Sequence, residues 1–174
     1  MKIKLVRVAV GLLLVGGVGA CSKDTAVPPE EAAPGQPEFF VRANTGAALW
    51  VAPGSGTYVK SKKQFYVFGQ AGTAAEATSL SLGFALPARP ALAPVQALPA
   101  AWYVLVGFDA ATNSYATADA ASLPTLQVTR LDTVAKIVEG RFEAVLQRDK
   151  HWTKQVEQLS LANGSFRVRY QEVP

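Results

Sequence analysis

The stretch Leu159-Ser160-Leu161-Ala162-Asn163-Gly164-Ser165-Phe166-Arg167-Val168 decides how the last third of the chain folds. Apolar and polar residues alternate on both sides of Asn163-Gly164, which is typical of β-strands with one buried face. Asn-Gly suits the central positions of a type I′ turn, because both positions need positive φ. A hairpin folded at this pair would place Leu161 opposite Phe166 on one apolar face. The stretch therefore predicts two paired strands that contribute that face to a core.

The same alternation recurs in short runs from residue 38 onward, and no long helical pattern interrupts it. These runs predict an all-β fold of about eight to ten short antiparallel strands. We expect a two-sheet β-sandwich, with a small β-barrel as the alternative. The sandwich is favoured because a proline-rich segment at 87–99 breaks the up-and-down rhythm of an even barrel. The predicted strands are 38–43, 47–52, 58–60, 64–69, 79–85, 102–108, 125–131, 136–147, 154–161 and 166–170.

Residues that favour turns separate these runs. Pro53-Gly54-Ser55-Gly56 predicts a turn between the second and third runs. The segment 109–114 predicts another turn, with Asn113 near its tip, and 87–99 reads as a long surface loop. In these places we expect the chain to leave the sheet.

The long run 136–147 has two distinct faces. Phe142, Ala144 and Leu146 share the apolar face, and we expect them to be buried. The opposite face carries Glu139, Arg141 and Glu143, and its alternating charges predict a solvated surface. Between them Gly140 is expected to form a bulge or bend. The run 136–147 therefore predicts one strand with a buried side and a charged side.

The N-terminal segment has the parts of a secretory signal. Three basic residues precede an apolar run that includes Leu12 to Val15, and the run ends in Val18-Gly19-Ala20-Cys21. This pattern resembles the lipobox of bacterial lipoproteins, in which the cysteine sulfur receives a diacylglycerol and the peptide is cut before it. The resemblance implies that Cys21 carries acyl chains such as palmitate and becomes the first mature residue. The alternative is a plain cleaved signal with an incidental cysteine.

The residues after Cys21 predict a spacer. The segment 22–37 contains four prolines and almost no bulky apolar residue, so we expect a disordered tether. Its opening, Ser22-Lys23-Asp24, is similar to the signal that sends Bacteroidota lipoproteins to the cell surface. The alternative is a polar tether that carries no export signal. The predicted organisation is a signal peptide at 1–20, a lipidated cysteine and tether at 21–37, and a single β domain at 38–174.

The charge of the chain excludes one class of function. Removing residues 1–20 lowers the Lys and Arg count from 17 to 14, against 13 acidic residues, so the formal charge falls from +4 to +1. Nucleic-acid binding needs a clustered basic face, and we expect none.

With Cys21 acylated, no thiol remains for a disulfide or a metal. We predict no cofactor, and we expect the protein to lie in the outer membrane, exposed at the cell surface, with a periplasm-facing anchor as the alternative.

Four short motifs occur in a fixed order along the chain: Trp50-Val51-Ala52, Val128-Thr129-Arg130-Leu131-Asp132, Gly140-Arg141-Phe142 and Asn163-Gly164-Ser165-Phe166. Their order resembles a family of small Bacteroidota lipoproteins that carry a domain of unknown function. The resemblance covers most of the chain after the cysteine. It supplies no catalytic residue.

Residues with chemical potential are few. His151 lies in a predicted loop and is the single histidine, so a histidine-based metal site is not expected. No Gly-x-Ser-x-Gly motif supports a serine nucleophile. Trp50, Phe68, Tyr103 and Phe108 are expected in the core. Trp152 follows a charged tetrapeptide, and it is our candidate for contact with a ligand or partner.

These observations leave three functional readings. The first is a non-enzymatic, lipid-anchored module that binds an unknown protein or glycan partner, or serves a structural role. The second is a carrier that holds a small apolar ligand in a barrel or between sheets. The third is a glycan-binding or glycan-active protein, suggested by the Trp and Tyr content. No catalytic constellation favours an enzyme.

Overall fold

A computed structural model describes residues 34–85 and 95–174. The predicted signal peptide, Cys21, Ser22-Lys23-Asp24 and most of the predicted tether lie outside the described residues. So does most of the loop predicted at 87–99, although its last three residues lie in a strand.

The described chain is built from nine strands and one short 3₁₀ turn, Ala120–Ser122. The alternating burial along each strand reflects the period-two pattern of the sequence. The strands are β1 (Phe40–Thr45), β2 (Ala48–Val59), β3 (Gln64–Gly72), β4 (Ala77–Ala85), β5 (Ala97–Val106), β6 (Ala110–Ala116), β7 (Thr125–Asp132), β8 (Ile137–Arg148) and β9 (Gln158–Val173).

All nine strands belong to one sheet, and its pairing closes on itself. Strands β2 to β6 pair in chain order, β6 pairs with β8, β8 with β9, and β9 returns to β2 through a parallel pairing. Strand β1 lies between β9 and the first half of β2, while β7 pairs with β8. The all-β class and the strand number are confirmed. Because backbone pairing closes the ring, the described strands follow the barrel alternative and not a pair of separate sheets.

The predicted turn at Pro53-Gly54-Ser55-Gly56 is wrong, because these residues lie inside β2. Here β2 changes partner from β1 to β9. A Cβ atom on Gly54 would lie 2.9 Å from Val168 Cγ1, and one on Gly56 would lie 3.0 Å from Tyr170 Cβ. The glycines therefore let β9 approach the bending strand closely.

The predicted hairpin at Asn163-Gly164 is also wrong, because β9 runs unbroken through the pair. Asn163 has φ of 52° and lies in a β-bulge, where the register to β8 shifts between Phe142 and Ala144. A bulge changes which parity faces inward, as the turn would have done. Phe166, Val168 and Tyr170 are accordingly buried, as predicted.

Two glycine and phenylalanine pairs join β8 to β9. Gly140 lies opposite Phe166, and Phe142 lies opposite Gly164. Each ring fills the space that a side chain on the facing glycine would need, since Cβ atoms built there would collide with the ring atoms. Such aromatic cover is a known way to support glycine within a sheet. Gly140 is thus a site of close packing.

The turn predicted at 109–114 is displaced. Residues Ala110–Ala116 form β6, and the chain reverses at Gly107 and Phe108, both with φ of 69°. Most of β6 is exposed and made of small or polar residues, so its sequence lacks the apolar alternation that would identify a strand.

The interior of the ring is filled with large side chains. Phe65 contacts Tyr58, Phe84 and Tyr170, with ring centroids 4.8, 5.2 and 4.9 Å apart. Trp50 and Trp102 meet at 4.8 Å near the other end. Burial of these rings is the main source of stability expected for the domain.

The ring contacts give a first prediction. Gly164→Ala should destabilise the protein by about 1–3 kcal/mol, the usual cost of overpacking, because the new Cβ would meet three ring atoms of Phe142 at 2.6–2.7 Å. Urea unfolding of the purified protein measures this loss. The double variant with Phe142→Leu should lose less than the two single variants together. Strict additivity would mean that the ring does not occupy this space.

A second prediction concerns Glu172, which accepts a hydrogen bond from Lys136 and pairs with Lys60 at 2.7 Å. These contacts lower the pKa of Glu172 from 4.5 to about 2. A lowered pKa stabilises the folded state above pH 4.5, and the contribution disappears as the pH falls toward 2. Glu172→Gln should flatten the acid-side fall of the melting temperature, whereas Glu76→Gln, in an exposed loop, should not. Parallel curves for Glu172→Gln and the wild type would contradict this assignment.

Candidate functional site

The outer surface of β7, β8, β9 and β1 forms a largely polar wall. Direct cross-strand pairing aligns Gln127, Arg141, Ser165 and Arg42 in one row across the four strands. Side chains of paired residues project from the same face of a sheet. The row therefore brings residues that are far apart in sequence to one side of the domain. We refer to this surface as the arginine wall.

An open cleft of about 450 Å³ lies on the arginine wall beside the bulge. Its lining combines guanidinium, amide, hydroxyl and carboxylate groups with one aromatic ring. The lining residues are Arg42, Thr125, Gln127, Arg141, Phe142, Glu143, Asn163, Gly164 and Ser165. Most of these groups can donate or accept hydrogen bonds, so the cleft is suited to a polar ligand.

Arg42 is held in place at one side of the cleft. Its Nε donates to Ser165 Oγ at 2.8 Å, and its Nη1 donates to Gln36 Oε1 at 3.3 Å. Ser165 is buried, which fixes the acceptor. Arg141 and Glu143 lie across the cleft on β8, and both are exposed. The cleft thus has one positioned guanidinium and one guanidinium that faces solvent.

The row below the cleft contains a buried carboxylate. Glu139 is only 1% exposed, although the sequence predicted it on the solvated face with Arg141 and Glu143. Its Oε1 lies 2.7 Å from Arg167 Nη1 and 3.5 Å from Arg130 Nη1. The face assignment is correct, but the burial is not, because long arginine side chains from both neighbouring strands contact the carboxylate. These ion pairs tie β7, β8 and β9 together.

The arginine wall carries a positive excess. Five arginines and three acidic residues give it a formal charge of +2, whereas the chain after residue 20 carries +1 in total. They are Arg42, Arg130, Arg141, Arg167 and Arg169, with Asp132, Glu139 and Glu143. A local excess of this sign raises the concentration of anions near the surface.

Trp152, the candidate contact residue from the sequence, has a partner inside the protein. Its Nε1 donates to Ser114 Oγ at 2.9 Å, and its ring meets the exposed His151 edge-on at 4.8 Å. The indole thereby attaches the loop between β8 and β9 to β6. Neither residue lines the cleft. Within residues 34–85 and 95–174, no group of acidic, histidine or cysteine side chains is arranged to hold a metal.

Three aromatic residues that were predicted in the core are exposed instead. Phe68, Tyr103 and Phe108 are 42%, 39% and 46% exposed. Trp50 does pack against the core, and its Nε1 donates to Thr78 Oγ1 at 2.8 Å. The prediction fails because aromatic residues occupy both parities of β3 and β5, so ring size alone does not identify the inward face.

Sequence reasoning identified only part of the cleft. It recognised Arg141 and Glu143 as exposed residues of one face, but it gave no role to Arg42, Gln127 or Thr125. The sequence did place those residues at polar positions of strands in which apolar and polar residues alternate, and this signal indicates outward-facing side chains. Bringing them together requires the strand register, and the sequence does not supply it.

No protein-family model, no curated protein and no solved structure matches this chain. The likeness to small Bacteroidota lipoproteins therefore rests on the sequence motifs alone. Across the part of the chain that the structure describes, no helix is long and apolar enough to cross a membrane.

Proposed function

We propose that the protein is a lipid-anchored module of the bacterial envelope, non-enzymatic, that binds a partner through the cleft of the arginine wall. The observation that carries the anchor is Val18-Gly19-Ala20-Cys21, which follows a basic segment and an apolar run. Two or three acyl chains on Cys21 would hold the protein stably in a bilayer, since a single chain gives marginal binding.

The binding role is supported by the chemistry of the cleft. Guanidinium, amide and hydroxyl groups converge there on a rigid sheet. Rigid strands position binding groups more accurately than loops do. The interior contains two groups of contacting aromatic rings, one with Trp50 and Trp102 and one with Phe65 and Phe84, and this filling speaks against the carrier reading.

A glycan-binding role is the second candidate, and the hydrogen-bonding lining of the cleft favours it. Sugars present many hydroxyl groups, which amide and carboxylate side chains recognise. Exposed Phe68 and Tyr103 on β3 and β5 offer further contact area on another part of the surface.

We place the protein at the outer membrane, exposed at the cell surface, with a periplasm-facing anchor as the alternative. Ser22-Lys23-Asp24, directly after the cysteine, supports the surface location by its similarity to the Bacteroidota export signal. The prolines that follow would separate the domain from the bilayer by up to about 3.1 Å per residue.

The anchor gives a third prediction. Cys21→Ser should abolish membrane attachment and leave an unprocessed precursor or a soluble secreted form. Labelling with an alkyne fatty acid and detergent-phase partitioning measure acylation and attachment, and Ser22→Ala is the matched control that keeps the thiol. A serine variant that still enters the detergent phase after cleavage of the signal would disprove the lipoprotein assignment.

The export signal gives a fourth prediction. Lys23→Ala with Asp24→Ala should leave the protein in the envelope but protect it from protease added to intact cells. Lys62→Ala with Glu76→Ala likewise removes one lysine and one acidic residue, at exposed positions in the domain, and serves as control. Equal digestion of the wild type, the double variant and the control would show that Lys23 and Asp24 do not direct surface exposure. The proposed lipid anchor would not be affected by that result.

A further inference from the structure

The charges that line the cleft suit a ligand with one negative charge. Arg42 and Arg141 approach the cleft from β1 and β8. Guanidinium groups bind planar carboxylates through paired hydrogen bonds, which are stronger than those between neutral groups. The excess of arginine on the surrounding wall adds a favourable field for an anion.

Glu143 limits the charge that the cleft accepts. It lies two residues from Arg141 on the same face of β8, and it lines the same cleft. Its carboxylate would repel a ligand of high negative charge, but it accepts hydrogen bonds from hydroxyl groups. A ligand that carries one carboxylate together with hydroxyls can pair with the arginines of the cleft and donate hydrogen bonds to Glu143.

Neutral groups complete this pattern of recognition. Gln127 and Asn163 each offer an amide donor and acceptor, and Thr125 offers a hydroxyl. The volume of about 450 Å³ falls within the range of small-molecule sites. The cleft is open to solvent at the sheet surface, so a unit of a longer chain fits it as well as a free molecule.

We propose that this cleft binds an acidic sugar, whose carboxylate pairs with Arg141 and Arg42 and whose hydroxyls contact Glu143, Gln127 and Asn163. The inference rests on the proposed binding role and names its ligand class. It does not depend on the lipid, because the cleft is formed by residues of the β domain alone.

The test titrates the detergent-purified full chain with D-galacturonate by calorimetry. D-galactose lacks the carboxylate, and acetate lacks the hydroxyls, so both should bind at least about tenfold more weakly than D-galacturonate. Added salt should weaken D-galacturonate binding, since the contact with arginine is electrostatic. A trimer of galacturonate separates the two ligand sources: tighter binding than the monomer assigns a polysaccharide, and equal binding assigns a free sugar acid.

Three variants locate the site. Arg141→Gln should weaken D-galacturonate binding by about tenfold, the loss of one charge-assisted hydrogen bond. Glu143→Gln removes the repelling charge and keeps an amide oxygen as acceptor, so acetate should bind at least as tightly as it does to the wild type. Arg169→Gln removes a charge from the same wall outside the cleft, where the guanidinium lies over the Phe39 ring, so it should weaken D-galacturonate binding much less than Arg141→Gln does. Matching thermal unfolding midpoints verify that each variant is folded.

The proposal is overturned if D-galacturonate binds no tighter than galactose and acetate, or if Arg141→Gln binds as well as the wild type. Equal loss in Arg141→Gln and Arg169→Gln would also overturn it, because binding would then follow the overall charge. None of these results affects the membrane attachment tested with Cys21→Ser, so failure of the ligand assignment and failure of the anchor are distinguishable.

Discussion

The domain depends on the packing of two phenylalanine rings against two glycines across β8 and β9. Phe166 covers Gly140, and Phe142 covers Gly164, so neither strand can shift along the other without losing both contacts. Strand β8 also pairs with β6 and β7, while β9 pairs with β1 and β2. The register fixed at these two pairs is therefore transmitted to both sides of the ring.

The same register creates the arginine wall. Because Phe142 on β8 and Phe166 on β9 face inward, the residues next to each of them along the strand must face outward. Several of the outward-facing residues of these two strands are charged. The bulge at Asn163 lets β9 keep apolar residues inside on both of its halves. Packing of the core and exposure of the polar groups in the cleft thus follow from one arrangement of alternating residues.

Alternation predicted the class of fold and the inward face of particular strands. Phe142, Ala144, Leu146 and Phe166 are buried as expected. It could not separate a hairpin at Asn163-Gly164 from a bulge, because both change parity between Leu161 and Phe166. The choice is made by β1, which pairs with β9 on both sides of the bulge. The cleft stayed unrecognised for the same reason, since Arg42 meets Ser165 only after residues 123 positions apart are aligned.

The pairing of β9 with β1 and β2 has a consequence for how the protein is made. The ring cannot close until its last strand meets its first two, and contacts over such sequence separations form slowly. A newly synthesised chain should consequently spend longer without its native core than a helical protein of similar size. If the chain is exported as we propose, machinery that threads unfolded polypeptides would meet it before the ring has closed, and the core would form only after β9 has crossed.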